Sequence, residues 1–453
     1  MILLINPAPP PGSPWYIGQK VPPLGLAYVA AALEKEGFLV EIVDNYLLEK
    51  PIEYVKQRVR ILNPQVVGIT CNSVSYKGCI ETAQAVKEVL PSCKVVVGGP
   101  HPSYLPESML QHQEVDYVVM GEGERAMAKL AAGLMKRENC SANAAIPGVA
   151  CMHEEKIIKT EPRFISDLDQ LPFPARHLLP MQLYDRKVEY LDARPADLMN
   201  VVRGCPYNCA YCEIRKLWGQ TCRSFSPHRV VEEIDHLINK HGSKGIYFIG
   251  DNFTIQKKHT VEICHLIKRQ KLDILWACDA RVDLVSRELL REMKDAGCRT
   301  IWFGVESGSP RILEKINKGI TLQQIIHAFR LCKEEGIKIA CSFMLGLPGE
   351  TVKDMRATFK FVNRLDPDWC RFNIFIAVPG SSLYEEVLQK GLYDRVEDFV
   401  VHVKTEDFNF ESLLEIQRRF REKFNRSPKR ILRRIRREGV LSIIKRNCNF
   451  FAK

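Results

Sequence analysis

The sequence predicts an α/β protein in which two parallel sheets follow each other along the chain. Short apolar runs alternate with helix-patterned stretches in residues 1–140, and the same alternation returns in residues 197–400. A Pro-interrupted stretch in residues 141–196 separates the two and is typical of a linker with one small hairpin. Residues 401–453 are basic and helix-patterned. The chain therefore divides into two α/β domains, a linker and a basic helical tail.

The composition limits the class of protein. An apolar fraction of 46% over 453 residues suits full-sized cores and excludes disorder throughout. The 16 cysteines would indicate disulfides in a short secreted chain, but three of them crowd into one metal-type motif and no signal peptide is recognised. No apolar run reaches the roughly 18 residues that span a bilayer. We therefore expect a cytoplasmic protein in a reducing compartment.

The first domain begins with a buried strand at residues 1–5 and a Pro-rich loop, followed by a helix from residue 23. Further apolar runs at 39–43, 66–70, 94–97 and 117–120 are separated by helical stretches. This alternation predicts a doubly wound, Rossmann-like domain whose ligand binds beyond the carboxyl ends of the strands. No G-x-G-x-x-G follows the first strand, so the pattern is not that of a dinucleotide-binding domain.

The loops after these strands are rich in Gly and small hydroxyl residues, which let backbone approach a flat ligand closely. The opening strand, the Pro-Leu-Gly-Leu-Ala segment and the Gly-Gly-Pro-His and Gly-Glu-Gly-Glu loops resemble the cobalamin-binding domain that precedes many radical S-adenosylmethionine (SAM) domains. The resemblance implies that cobalamin is bound by Thr70, Ser73, Ser75, Gly98, Gly99, His101, Gly121, Glu122 and Gly123.

The resemblance departs from other cobalamin proteins at one point. The Asp-x-His-x-x-Gly motif that supplies a cobalt-ligating His elsewhere is absent. We therefore expect His101 to lie in a loop near the corrin without ligating cobalt. The alternative for the whole domain is a degenerate fold that binds no cofactor and serves as a platform for a substrate or partner.

The second domain opens with the cysteines 205, 209 and 212, separated by three and then two residues. Structural zinc sites use four ligands in two pairs, and ferredoxin runs use two-residue gaps with a fourth Cys, so neither fits. The segment Arg-Gly-Cys-Pro-Tyr-Asn-Cys-Ala-Tyr-Cys, with an aromatic before the last Cys, resembles the signature of radical SAM enzymes. The resemblance implies that Cys205, Cys209 and Cys212 bind three irons of a 4Fe-4S cluster, whose fourth iron chelates SAM. The alternative is three structural cysteines or a zinc knob.

Six strands are predicted between residues 197 and 400, each followed by a helix or loop, which suits the partial (β/α)6 barrel of the radical SAM fold. The strand ends receive roles by resemblance. The backbone of Tyr211 would lie beside the cluster and adenine, and Asp251 and Asn252 would lie near the SAM amino group. A charged residue at a strand end is equally explained as a salt-bridge partner in the barrel mouth. The remaining SAM-binding candidates are Arg281 for the carboxylate, Glu306 for the ribose and Gly346 under the adenine.

The tail carries the charge of the chain. Between Arg418 and Arg446, thirteen Lys or Arg face two Glu, an excess equal to the formal net charge of +11. A basic amphipathic helix is typical of peripheral contact with the inner membrane face. A terminal helix packed on the barrel with its arginines in water is the alternative. Without interleaved aromatics, no nucleic-acid partner is expected.

The resemblance implies a cobalamin-dependent radical SAM enzyme that receives an electron from reduced flavodoxin or ferredoxin and cleaves SAM to a 5′-deoxyadenosyl radical. The resemblance implies C-methylation of an unactivated carbon, and likeness of the tail to that of hopanoid-, lipid- and tetrapyrrole-modifying members favours a small or lipid-like hydrophobic substrate. The alternatives are a cyclase or oxidoreductase of the same type without methyl transfer and a non-catalytic Fe-S protein. A tRNA methylthiotransferase is disfavoured because three N-terminal cluster cysteines are missing.

Overall fold

The computed structural model describes residues 1–9 and 20–432. Over these described residues, the first domain shows seven strands and seven helices. The strands are β1 (Ile2–Asn6), β2 (Val40–Asp44), β3 (Val66–Thr70), β4 (Lys94–Gly98), β5 (Tyr117–Val119), β6 (Val149–His153) and β7 (Lys156–Lys159). The helices are α1 (Leu24–Lys35), α2 (Pro51–Leu62), α3 (Tyr76–Val89), α4 (Pro100–Tyr104), α5 (Pro106–Leu110), α6 (Gly123–Met135) and α7 (Cys140–Ala144).

The first sheet has the strand order β2-β1-β3-β4-β5-β6-β7, and the five strands from β2 to β5 are parallel. Helices cover both faces: α1 and α6 contribute to one hydrophobic core, and α2 and α3 contribute to the other. The apolar residues of β1 are therefore at most 1% exposed, which explains why this strand is apolar at successive positions. The doubly wound domain expected from the sequence is confirmed.

The hairpin expected inside the linker belongs to this sheet. Strand β6 pairs antiparallel with β5, and β7 pairs antiparallel with β6, so the hairpin extends the sheet by two strands. The buried residues Val149, Ala150 and Cys151 explain the placement, because they add apolar surface to the two cores. The domain boundaries at residues 140, 196 and 400 stay predictions.

The second domain is built on six parallel strands in the order β15-β14-β13-β12-β11-β8. They are β8 (Ala196–Asn200), β11 (Gly245–Ile249), β12 (Leu275–Ala280), β13 (Cys298–Glu306), β14 (Lys338–Leu345) and β15 (Trp369–Ile374). A two-stranded ribbon, β9 (Val202–Arg203) with β10 (Arg223–Ser224), flanks the cysteine loop. Within the described residues the sheet is open between β8 and β15, as in the predicted partial barrel.

The helices of this domain each bury at least one apolar side chain, and most of them lie between successive barrel strands. They are α8 (Ile214–Trp218), α9 (Pro227–His241), α10 (Lys257–Arg269), α11 (Arg287–Asp295), α12 (Pro310–Lys315), α13 (Leu322–Glu334), α14 (Val352–Leu365), α15 (Ser382–Gln389) and α16 (Phe410–Asn425). Thr321 and Thr351 close the starts of α13 and α14 with capping boxes, which satisfy N–H groups that the helices leave without partners.

The start of the predicted tail differs from the expectation. Residues 400–403 form a buried strand, β18 (Val400–Val403), which pairs with β16 (Ile376–Ala377) and β17 (Tyr393–Glu397). Three valines in four residues favour a strand over a helix here. The helix begins only at Phe410, and helical backbone resumes at Pro428. The apolar positions 435, 440, 441, 443 and 444 of the predicted tail lie outside the described residues.

Helices that could cross a bilayer are not found in the described part of the chain.

Candidate active site

The loop between β9 and α8 carries Cys205, Cys209 and Cys212, and all three are free, partly exposed thiols. The barrel fixes this loop through Ala210, whose N–H donates to the Ile316 carbonyl at 2.8 Å and whose carbonyl accepts from the Leu383 N–H at 3.0 Å. The three predicted thiols therefore lie on one loop at the mouth of the barrel.

Gly204, directly before the first Cys, is required by geometry. Its φ is +88°, and a Cβ there would lie 2.3 Å from the Thr221 carbonyl oxygen. Any other residue would displace the ribbon that delivers the thiols.

Burial disfavours the thiolate form of the free cysteines. Burial, together with the neighbouring thiols, raises the pKa of Cys212 to about 12, and burial raises the pKa of Cys205. Bound iron would therefore be needed to hold these groups as thiolates at neutral pH. In residues 1–9 and 20–432 no group of three His, Cys, Asp or Glu side chains is arranged to hold a metal ion. A cluster in which each thiolate binds a different iron does not require the three to converge on one point.

Glu306 lies at the end of β13 beside the cysteine loop. One of its carboxylate oxygens accepts from the Tyr211 hydroxyl and from the Lys318 ammonium, each at 2.9 Å. Its φ is +69°, at a register shift between β13 and β14, a strained conformation that clusters at functional sites. The structure thus brings Tyr211 and Glu306 together. Sequence reasoning missed Lys318, which lies in a loop without a motif.

Asp251 and Asn252, two further SAM candidates, already form hydrogen bonds within the protein. Asp251 accepts from the Gly204 N–H at 2.6 Å, so it holds the cysteine loop, and burial raises its pKa to about 6. Asn252 is 1% exposed; its amide oxygen accepts from the Thr254 hydroxyl, while its amide nitrogen has no hydrogen-bond partner. The free group of Asn252 is therefore a donor, which suits the SAM carboxylate better than the amino group expected from the sequence.

Arg281 has its charge matched within the protein. Its guanidinium donates to both oxygens of Asp283, at 3.0 and 3.1 Å, and to the Lys318 carbonyl at 2.9 Å. It also lies over the Tyr207 ring at 3.6 Å. The arrangement favours a role in holding Tyr207 of the cysteine loop and leaves less of the guanidinium for SAM.

Gly346 directly follows β14 with φ +87°, and a Cβ there would lie 2.5 Å from the Leu413 side chain. The N–H groups of Gly346 and Leu347 donate to one oxygen of Glu350, at 2.7 and 3.2 Å. Burial raises the pKa of Glu350 to about 8. The Glu350 carboxyl therefore holds this turn, and Leu413 of α16 packs against it.

A cavity of about 290 Å³ opens at the carboxyl ends of β3, β4 and β5, where the sequence predicts a ligand. Five of the nine cobalamin candidates line it: Thr70, Gly98, Gly99, Gly121 and Gly123. At Gly99, with φ +106°, a Cβ would lie 2.7 Å from the Cys71 carbonyl oxygen. The size of the cavity and its mostly apolar lining suit a ring system that forms part of a corrinoid.

The other four cobalamin candidates do not line this cavity. His101 is fully buried, and its two ring nitrogens bond to the Ser73 and Ser108 hydroxyls at 3.1 and 2.9 Å. Both ring nitrogens are therefore engaged within the protein, and the non-ligating role of His101 stays a prediction. Ser75 caps a turn with Asn72, and Glu122 binds Arg203 at 2.9 Å.

The opposite wall of the cavity comes from the second domain. Arg203, Leu217 and Trp218 line it, although none was among the cobalamin candidates. The two predicted sites therefore adjoin through the two ends of the cysteine segment, although none of the three thiols lines the cavity. Their adjacency depends on contacts about eighty positions apart in the sequence, such as Arg203 with Glu122, which no local pattern indicates.

Known families match both domains. Residues 199–362 match the Radical SAM superfamily, and residues 16–131 match the B12 binding domain. An uncharacterized methyltransferase of Pyrococcus horikoshii is 35% identical over 393 residues, which make up 86% of this chain and 84% of the relative. The anaerobic magnesium-protoporphyrin IX monomethyl ester cyclase of Rubrivivax gelatinosus is 29% identical over 386 residues, 83% of this chain and 67% of the relative.

Among solved structures, the radical SAM methyltransferase TsrM from Kitasatospora setae, with tryptophan substrate and a SAM analog bound, aligns with a TM-score of 0.73 at 20% identity. The alignment covers 87% of this chain and 77% of that one. This likeness concerns the fold.

Radical SAM domains use a 4Fe-4S cluster and SAM, and a B12 binding domain takes cobalamin, so the chain is an enzyme with these three cofactors. With both domains matched and a relative at 35% identity over most of its length, the chain belongs to the radical SAM superfamily, in the group that carries a B12 binding domain.

Proposed function

We propose that the enzyme is a cobalamin-dependent methyltransferase that adds a methyl group to an unactivated carbon of a hydrophobic substrate. The observation that carries the proposal is the cavity wall: Arg203, Leu217 and Trp218 belong to the cysteine segment and also line the cavity of the first domain. On the proposed assignment of the cavity to cobalamin, this wall supports a methyl-carrying cofactor close to the segment that would hold the cluster. The methyltransferase relative from Pyrococcus horikoshii supports the reaction type.

The residues contribute binding, orientation and exclusion of water. When bound, the 4Fe-4S cluster supplies the electron that cleaves SAM, and cobalamin supplies the methyl group. Cys205, Cys209 and Cys212 would hold the cluster, and Glu306, positioned by Lys318, would accept from the ribose hydroxyls of SAM. The apolar lining of the cavity would keep water from the cofactors.

The substrate class and partners complete the proposal. The cyclase relative acts on a magnesium-protoporphyrin ester, which supports a large hydrophobic substrate. Reduced flavodoxin or ferredoxin would supply the electron. Peripheral contact with anionic lipid would come from the basic residues after Arg418.

Reductive cleavage of SAM tests the enzyme directly. Anaerobically reconstituted protein with dithionite and SAM should release 5′-deoxyadenosine. Replacing Cys205, Cys209 and Cys212 together with Ala should abolish both the release and the cluster absorbance. Cys222→Ala is the matched control, since Cys222 is a free, partly exposed thiol ten positions beyond the loop. Iron retained by the triple variant would refute the ligand assignment.

The cyclase relative also favours a second candidate, an oxidative ring closure without methyl transfer. SAM with a labelled methyl group separates the two, with magnesium-protoporphyrin IX monomethyl ester and a membrane lipid extract as separate probes. Methyl transfer places the label in the product. A product that has lost hydrogen and carries no label would favour the cyclase.

A further inference from the structure

The segment that carries the three thiols begins and ends in the wall of the cavity. Arg203 lies two residues before Cys205, and Leu217 and Trp218 lie at the end of α8, shortly after Cys212. All three wall residues line the cavity of about 290 Å³. A ligand in the cavity therefore contacts both ends of the cysteine segment.

Arg203 connects this segment to the first domain. It is 3% exposed, and its two terminal nitrogens donate to Glu122 at 2.9 Å and to Glu124 at 2.6 Å. Its guanidinium lies over the rings of Trp218 at 4.8 Å and Tyr28 at 5.3 Å. Glu124 lines the cavity as well, so both members of the Arg203–Glu124 ion pair would contact a ligand bound there.

A second arginine completes the charge balance. Arg223 on β10 donates to both oxygens of Glu122, at 2.9 and 2.8 Å, and to the carbonyls of Ile165 and Trp218, each at 2.6 Å. Two guanidinium groups thus face two carboxylates in the domain interface. Removing one member of such a buried network leaves an uncompensated charge, so the cysteine segment and the Gly-Glu-Gly-Glu loop hold each other in place.

We infer that Arg203 is a positioning residue through which corrinoid binding in the cavity and cluster binding at the thiols strengthen each other. The inference rests on the proposed function, which assigns the cavity to the corrinoid and the thiols to the cluster. A corrinoid that fills the cavity fixes Glu124 and Trp218, and these fix Arg203 and the segment after it. The coupling free energy is reciprocal. If the corrinoid tightens cluster binding by some factor, the cluster must tighten corrinoid binding by the same factor.

Hydroxocobalamin affinity measures the coupling. The full chain is titrated anaerobically with hydroxocobalamin, once cluster-free and once with the cluster reconstituted. We expect the cluster-loaded form to bind about tenfold more tightly. In the reverse experiment, saturating hydroxocobalamin should slow the loss of cluster iron to a chelator.

Variants locate the coupling in Arg203. Arg203→Met should bring the ratio of hydroxocobalamin affinities, cluster-loaded over cluster-free, close to one. Glu124→Gln keeps a hydrogen-bond acceptor but removes the charge, so it should disturb folding less than Arg203→Met and reduce this ratio only in part. The matched control is Arg176→Met. Arg176 is also 3% exposed and pairs with Glu233 at 2.8 Å, but neither residue lines the cavity. The control should lose stability and keep the ratio.

The outcomes separate the coupling from the proposed function. Wild-type protein that binds hydroxocobalamin equally in both forms would overturn the coupling alone, as would a Glu124→Gln variant with the full wild-type ratio. Wild-type protein that binds no hydroxocobalamin in either form would refute the assignment of the cavity, and the coupling with it.

Discussion

At the scale of single residues, Lys318 is a buried cation beside Glu306. It is 6% exposed, and its ammonium donates to Glu306 and to the Tyr211 hydroxyl. Lys318→Met leaves Glu306 as an uncompensated buried carboxylate, so its orientation toward the ribose is lost. On the proposed role of Glu306, we expect SAM affinity to fall about tenfold or more, since hydrogen bonds to charged groups contribute roughly 1.5–3 kcal/mol.

Calorimetric titration of the reconstituted protein with SAM measures this effect. Lys315→Met is the control, because Lys315 lies on the neighbouring helix α12 in an exposed ion pair with Glu386. The control should change affinity little. Unchanged SAM affinity in Lys318→Met would contradict the role given to the pair.

The raised pKa of Glu350 predicts that the stability of the fold depends on pH. Burial raises its pKa from 4.5 to about 8, so the folded chain keeps a proton that the unfolded chain releases above about pH 4.5. The contribution of the protonated carboxyl is therefore fully present below pH 4.5 and is lost as pH rises toward 8. The free energy of unfolding should fall with pH across this window by up to about 1.4 kcal/mol per pH unit.

Glu350→Gln removes the titration and keeps an oxygen for the two N–H donors of the turn. The variant should exceed wild type in stability at pH 8, and this advantage should shrink toward pH 5. Denaturant unfolding at several pH values measures it, with the exposed Glu314→Gln as control. Parallel pH profiles for Glu350→Gln and wild type would show that the buried carboxyl is ionised throughout.

Sequence reasoning worked best for residues whose chemistry depends on spacing along the chain. The three cysteines and Glu306 were expected from adjacent residues, and the structure places them on a loop and at a strand end that lie side by side, while their roles stay predictions. Lys318, Arg203 and Glu350 gain their roles from partners in space. Arg203 meets Glu122 and Glu124, which lie 81 and 79 positions earlier, and no pattern within one segment indicates such pairs.

At the scale of elements, the loop after β4 depends on Gly99. Gly99→Ala forces a Cβ to within 2.7 Å of the Cys71 carbonyl and also strains a φ of +106°. Because the clash is with backbone, β3 and β4 must shift apart at the edge of the cavity. We expect a stability loss of about 1–3 kcal/mol and weaker hydroxocobalamin binding.

Gly37→Ala is the control for backbone strain alone. Gly37 has φ +83° with nothing within 4 Å of a Cβ, and it follows the end of α1. This variant should lose about 1 kcal/mol and bind hydroxocobalamin like wild type. Thermal unfolding and absorption titration compare the two. Normal corrinoid affinity in Gly99→Ala would count against this loop as part of the binding site.

The elements were predictable where burial decides the pattern. The strands of both parallel sheets are covered by helices, so they appear as short apolar runs at nearly the observed positions. The hairpin β6–β7 and strand β18 were assigned to a linker and a helical tail. The hairpin pairs antiparallel with β5 at the edge of the first sheet, and β18 pairs antiparallel with β16 in a small sheet, so part of the deciding contacts comes from strands more than twenty positions earlier.

At the scale of the whole molecule, the basic tail divides into a packed part and a remainder. On α16, Phe420 stacks on Phe359 at 4.6 Å, and Phe424 is 4% exposed against the barrel. The packing alternative therefore accounts for the apolar face of α16, and its arginines Arg418 and Arg419 point to solvent. The location of charge was readable from the sequence, but the surface that the helix covers was not.

The packing of α16 links the C-terminal part of the chain to the proposed SAM site. Leu413 is fully buried and contacts Gly346, the residue expected under the adenine. Leu413→Ala should cost about 2–5 kcal/mol of stability and weaken SAM binding, because the cavity it leaves frees the turn at Gly346. The neighbouring Leu414 is 45% exposed, so Leu414→Ala should stay within about 0.5 kcal/mol of wild type and keep SAM affinity. Denaturant unfolding and SAM titration of the two variants compare these effects. A Leu413→Ala variant that loses stability but binds SAM normally would mean that α16 supports the barrel without shaping the SAM site.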